Sequence, residues 1–125
     1  MAKFRSASAT LVAAAALITS TGTATGAERS STTNCRQYVC VNVVHSDLHV
    51  EKVEVFQNSN GPSWFGHVKF TSNREPQVVG SDGNPVPWVV VHFNRTLPKG
   101  TTLCGEALEA VAGGYVNQGS VCVDL

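Results

Sequence analysis

The stretch Tyr38-Val39-Cys40-Val41-Asn42-Val43-Val44 sets Val39, Val41 and Val43 against Tyr38, Cys40 and Asn42. A period of two is that of an extended chain with one face buried, because successive side chains of a strand point to opposite faces. Valine suits that role, since its branched Cβ packs well on a pleated surface. The 98 residues that follow Ala27 (125 less 27) contain eighteen valines, no isoleucine and no methionine. Alanine, the best helix former, is confined there to Ala107, Ala110 and Ala112. A β-rich chain is expected.

Residues 48–57 continue the pattern with a change of phase. Leu48 and Val50 share one face and Val53 and Val55 the other, so a bulge or bend is expected at Glu51-Lys52. The loop Asn58-Ser59-Asn60-Gly61-Pro62-Ser63 closes this element with turn residues. In residues 64–71, Trp64, Gly66, Val68 and Phe70 form the expected buried face, and Phe65, His67 and Lys69 the other. A short strand over 77–79 precedes the turn Ser81-Asp82-Gly83-Asn84-Pro85. Trp88-Val89-Val90-Val91-His92-Phe93 is apolar on both phases, which predicts a central strand covered on both faces, with Trp88 in the core.

The turn Leu97-Pro98-Lys99-Gly100 leads into residues 101–110. Ala107, Leu108 and Val111 could share one face of a short helix, but a strand continuing from Leu103 is the preferred reading. The final strand is placed over 120–125, after Ala112-Gly113-Gly114 and Asn117-Gln118-Gly119. Short strands joined by Gly, Pro, Asn and Ser turns describe an antiparallel β-sandwich or a small barrel. The expected fold is all-β: an immunoglobulin-like sandwich of six or seven strands over residues 35–125, with 28–34 a flexible lead-in.

The first 27 residues differ in kind. Lys3 and Arg5 precede an apolar run over 11–18, and small residues end at Thr25-Gly26-Ala27, the three parts of a secretory signal peptide. Cleavage is expected after Ala27 or Gly26. The apolar run falls short of the roughly 20 residues that span a bilayer, so no stable membrane insertion is expected once the leader is removed. Without Lys3 and Arg5, nine basic residues become seven against nine acidic, a net charge of −2. Such a domain has no electrostatic attraction to phosphate backbones, and nucleic acid is not an expected partner.

All four cysteines follow the leader, and an oxidising compartment makes two disulfides the default. Four cysteines allow three connectivities. Cys35 and Cys40 are close enough for a local loop, and Cys104 and Cys122 lie in two late strands, so these pairs are favoured over the crossed ones. Zinc ligation needs close pairs such as C-x2-C, which neither spacing supplies. No metal or cofactor is expected.

Reactive constellations are scarce. His45, His49 and Asp47 could be assembled into a copper or zinc site, but scattered surface imidazoles are the simpler reading. No G-x-S-x-G elbow, phosphate loop or dinucleotide fingerprint is present. Glu51 with Glu54, and Glu106 with Glu109, show no more than strand spacing. The residues that suggest binding are Trp64, Phe65 and Trp88, with His67 on the phase of Phe65, because aromatic rings on a β-face stack on sugars or anchor protein partners; for Trp64 and Trp88 a place in the core is the preferred reading.

The segment Asn94-Arg95-Thr96-Leu97-Pro98-Lys99-Gly100-Thr101-Thr102-Leu103-Cys104-Gly105-Glu106 and the ending Gly119-Ser120-Val121-Cys122-Val123-Asp124-Leu125 resemble a loose group of small secreted cysteine-containing proteins of actinomycetes such as Streptomyces. The resemblance covers residues 35–125 and implies a bacterial, extracellular origin. It implies no activity.

The expected function is therefore non-enzymatic binding of an extracellular protein or a cell-wall polysaccharide, through the loops over 58–65 and 73–85. A secreted protease inhibitor or small hydrolase is the alternative. For an inhibitor, Lys99 in its turn is the candidate anchor for a trypsin-like pocket.

Overall fold

Val39, Val41, Val43, Val50, Val53 and Val55 are all fully buried, so the alternation of valines marks one inner face across two neighbouring strands. The computed structural model describes residues 28–125; the leader read in residues 1–27 lies outside them. Eight strands run in the order β1 (Ser30–Cys35), β2 (Val39–Ser46), β3 (His49–Gln57), β4 (Gly66–Ser72), β5 (Val78–Val79), β6 (Val89–Thr96), β7 (Thr102–Val111) and β8 (Gly114–Asp124). They form two four-stranded antiparallel sheets, ordered β1-β2-β3-β6 and β8-β7-β4-β5. The described residues contain no helix.

The inner faces share one core, to which the first sheet brings its valines and the second brings Val68, Phe70, Leu103, Ala107 and Val123. Phe70 meets Phe93 edge to face across it, with centroids 5.9 Å apart. At Gly105 the sheets come so close that a Cβ would stand 2.6 Å from Val55 Cγ1. Only hydrogen fits there.

The change of phase at Glu51 is a bulge. His45 pairs with Val50 and Val44 with Lys52, so β3 advances two residues against one of β2 and Glu51 is the extra residue. This brings both Val50 and Val53 to the inner face, although their odd spacing would separate them in a regular strand. Asp47, with φ of 52°, lies in the turn between β2 and β3.

Both disulfides join directly opposed residues of adjacent strands. Cys35 bonds Cys40 between β1 and β2, and Cys104 bonds Cys122 between β7 and β8, with Cα separations of 4.1 and 4.0 Å. No cysteine is free among the described residues.

Three expectations change. The lead-in read as flexible over 28–34 instead contributes a paired strand from Ser30, held by the ladder to β2 and by Cys35. This helps to raise the strand count from six or seven to eight. From β2 onward, a hairpin within one sheet (β2-β3) is followed by a crossing to the other sheet at β4, and β1 is an added strand on the outer side of β2. Finally, β6 is an edge strand and not a central one. Val89, Val91 and Phe93 take the inner phase, whereas Trp88 is 57% and Val90 42% exposed. An apolar residue on the outer phase of an edge strand has no second layer to cover it, so composition alone misplaced Trp88.

Candidate binding surface

The outer face of the β8-β7-β4-β5 sheet holds two of the residues singled out from sequence. Phe65 immediately precedes β4 and His67 lies within it on the same phase. Phe65 is 51% exposed, as that phase requires, but His67 is only 9% exposed. Two side chains from distant parts of the sequence cover it. Asp82 Oδ1 lies 2.9 Å from His67 Nδ1, and the Tyr115 ring meets the imidazole edge to face with centroids 4.8 Å apart. Tyr115 then donates from its hydroxyl to Asp82 Oδ2 at 2.7 Å.

Local backbone structure explains how these groups meet. After β5 the chain returns to β4, and Gly83 exchanges two backbone hydrogen bonds with Gly66, Gly83 N to Gly66 O at 2.8 Å and Gly66 N to Gly83 O at 3.2 Å. That places Asp82 beside His67. Tyr115 arrives from β8, where it pairs with Ala110 of β7; the Ala110 amide in turn donates to the Phe65 carbonyl at 2.9 Å. Phe65, Ala110 and Tyr115 thus occupy one row across three strands. The small side chain at the centre leaves room for the Tyr115 ring to lie toward β4.

The electrostatics follow from the donors. Hydrogen bonds from Tyr115 and then His67 hold the Asp82 carboxyl below its ordinary value, against the weaker opposing effect of desolvation. Donation to that carboxylate pushes the Tyr115 hydroxyl above its ordinary value. An ionised carboxylate only accepts, so Nδ1 of His67 carries a proton. The three groups form a clip between the loop after β5 and strands β4 and β8.

Beyond the clip, the β7–β8 hairpin exposes Val111 (46%), Tyr115 (50%) and Val116 (43%). Phe65 and Tyr115 share the outer face, whereas Val111 and Val116 take the opposite phase together with Glu109, whose carboxylate accepts from Gln118 Nε2 at 2.7 Å.

The other residues proposed from sequence lie elsewhere. Trp64 is in the core at 3% exposure, edge-on to Tyr38 at 6.1 Å, with its Nε1 unpartnered. Lys99 is exposed at the far end of β7, roughly 30 Å of strand away. Its turn is tightly held: Thr101 N donates to Pro98 O at 3.2 Å, Asn73 Nδ2 to Gly100 O at 3.0 Å, and Gly100 N to Leu125 O at 2.9 Å. His45 uses both ring nitrogens within the protein, Nε2 with Thr32 Oγ1 at 3.0 Å and Nδ1 with the Asp47 carbonyl at 2.9 Å. No group of three or more His, Cys, Asp or Glu side chains is placed to hold a metal ion among the described residues.

Asp82, Tyr115, Val111 and Val116 were not singled out from sequence. Asp82 read as a turn residue, and the phase of β8 was hidden by Gly113, Gly114 and the bulge between Asn117 and Gly119. No protein-family model, curated protein or solved structure matches the chain.

Proposed function

We propose that this is an extracellular, non-enzymatic binding protein of bacterial origin whose contact surface is centred on Phe65 and Tyr115 and whose partner is another extracellular protein. The observation that carries the reading is the pair of half-exposed aromatic rings, Phe65 and Tyr115, set in one row by the strand ladder, with Tyr115 held by the clip. Large rings fixed before contact lose little conformational freedom on binding, which is why Tyr and Trp dominate interface hot spots. Asp82 beside Tyr115 provides a polar rim of the kind found around interface cores. Two disulfides suit an oxidising compartment, and the leader supplies a route to it.

Binding of labelled protein to the surface proteins of the producing cells tests this, with Phe65→Ala and Tyr115→Ala as variants and Lys99→Ala as control. Each aromatic variant should lose at least tenfold in affinity, and the control should match the parent. Unchanged binding by both variants would overturn the reading. Binding that survives removal of surface proteins and is competed by cell-wall polysaccharide would move the partner to that class. Mass spectrometry of the culture medium should find the mature chain beginning at Ala27 or Glu28.

A further inference from the structure

The opposite sheet carries a second surface of different chemistry. On the outer face of β1-β2-β3-β6, the rings of Phe56 and Trp88 stack at 4.3 Å with an angle of 15° between their planes. Phe56 covers one side of the indole, yet Trp88 remains the most exposed of the large apolar side chains, at 57%. Stacking holds the ring in place and leaves its other surface open.

Beside the aromatic pair runs a row of polar groups. Thr33, Asn42 and Glu54 stand opposite one another on β1, β2 and β3, and the row ends at Val90 on β6. Thr33 Oγ1 and Ser31 Oγ donate to Asn42 Oδ1, at 2.6 and 2.9 Å, and Asn42 Nδ2 donates to Glu54 Oε1 at 2.9 Å. The row lies two residues along the strands from Phe56 and Trp88, a distance of about 7 Å. That is the scale of one sugar ring.

Charge decides what could lie there. Lys52 Nζ is 3.3 Å from Glu54 Oε2, and Arg29 Nε is 3.0 Å from Glu51 Oε2, so the charged groups beside the row are paired with one another. A charged ligand would find no unpaired counter-charge, whereas an uncharged one that both donates and accepts hydrogen bonds matches the hydroxyls, amide and carboxylate of the row. Phe56, Trp88 and Val90 form a narrow apolar strip beside the polar row. A pyranose presents apolar C–H bonds on its faces and hydroxyls on its rim. It suits both halves of the surface.

We infer that the outer face of the β1-β2-β3-β6 sheet binds a neutral, pyranose-containing polysaccharide, with one sugar stacked on Trp88 and its neighbour hydrogen-bonded along Asn42 and Glu54. This site is on the other sheet from Phe65 and Tyr115 and stands or falls independently of the protein-binding surface. A protein with both surfaces would tether its partner to a glycan.

Affinity electrophoresis of the full mature chain tests the inference, with laminarin, hydroxyethylcellulose, dextran and galactomannan as neutral probes and polygalacturonate as the anionic one. At least one neutral probe should retard the protein. Trp88→Ala should reduce that affinity at least tenfold, Trp88→Phe should retain part of it, and Phe65→Ala should leave it unchanged. The same neutral probe should shift the tryptophan fluorescence of the parent but not of Trp88→Ala, where only the buried Trp64 still emits. A thermal midpoint for Trp88→Ala close to that of the parent establishes that the variant is folded; should it fall, Asn42→Ala, with Trp88 intact, supplies the same tenfold loss. Retardation by none of the neutral probes, by polygalacturonate alone, or equally in parent and folded Trp88→Ala overturns the inference.

Discussion

Tyr115 and Asp82, 33 residues apart in sequence, are joined by a 2.7 Å hydrogen bond that reaches from the edge strand β8 across β7 to the loop after β5. The bond closes over His67 and accounts for the burial of an imidazole on an outward phase. Tyr115→Phe keeps the ring and removes the donor that contributes most to lowering the Asp82 carboxyl. In this variant the Asp82 side chain should titrate higher than in the parent, as followed by NMR of its carboxyl carbon. An unchanged titration would mean that Tyr115 does not hold Asp82 in solution.

The clip should work over a wide but bounded pH range. The folded-state value of Asp82 lies below its ordinary 3.8, so its contribution to stability is present above that value and is lost as pH falls through the folded one. The folded-state value of Tyr115 lies above its ordinary 10.0, so its contribution is present below that value and is lost as pH rises through the folded one. The Gly83 amide should accordingly move at both acid and alkaline extremes and stay still between them. In Asp82→Asn the acid transition should vanish.

Gly105 and Val55 set the distance between the sheets. Gly105→Ala would place a methyl 2.6 Å from Val55 Cγ1, and the stiff valine side chain has no room to yield. Overpacking of this kind costs about 1–3 kcal/mol. In urea denaturation the double variant Gly105→Ala with Val55→Ala should lose less than the sum of its parts, because the new methyl fills the vacated space. Simple additivity would show that the sheets separate instead.

The two disulfides close loops of different size, with sequence separations of 5 and 18. On the chain-entropy model, Cys104–Cys122 contributes about 3 kcal/mol and Cys35–Cys40 about 2. Replacing each pair with alanines and comparing denaturation midpoints should rank them in that order. The reverse order would indicate that β1 depends on Cys35 for its docking.

Lys99 offers a check on the inhibitor alternative. Its turn is closed by the bond from Thr101 N to Pro98 O, and Gly100 has φ of 88°, so the chain around Lys99 is folded back on itself. Proteases bind their substrates and inhibitors in extended form. Mixing the protein with trypsin should therefore give no stoichiometric inhibition; inhibition abolished by Lys99→Ala would reinstate that reading.

Much of the architecture was legible because it rests on short-range pattern. The alternation through Val39, Val41 and Val43, the bulge near Glu51 and the extended reading of residues 106–111 each follow from which side chains must share a face. The favoured cysteine pairs were close in sequence and joined strands that proved adjacent. The position of β6 was not legible in this way. Apolar residues on both phases describe a covered strand equally well as an edge strand with an aromatic outer face, and only strand order separates the two.

By itself, then, the sequence determined that this chain forms strands, which residues those strands turn inward and where its cysteines could close local loops. Both candidate surfaces were decided by tertiary structure. His67 gains its cover from Asp82 and Tyr115, 15 and 48 residues further along the chain, and Trp88 finds its stacking partner in Phe56, 32 residues earlier. The physical reason is that side-chain alternation records the direction in which a residue points, a local property of the backbone. Which residues lie opposite depends on sheet order and register, which are settled only when the two sheets close on their common core.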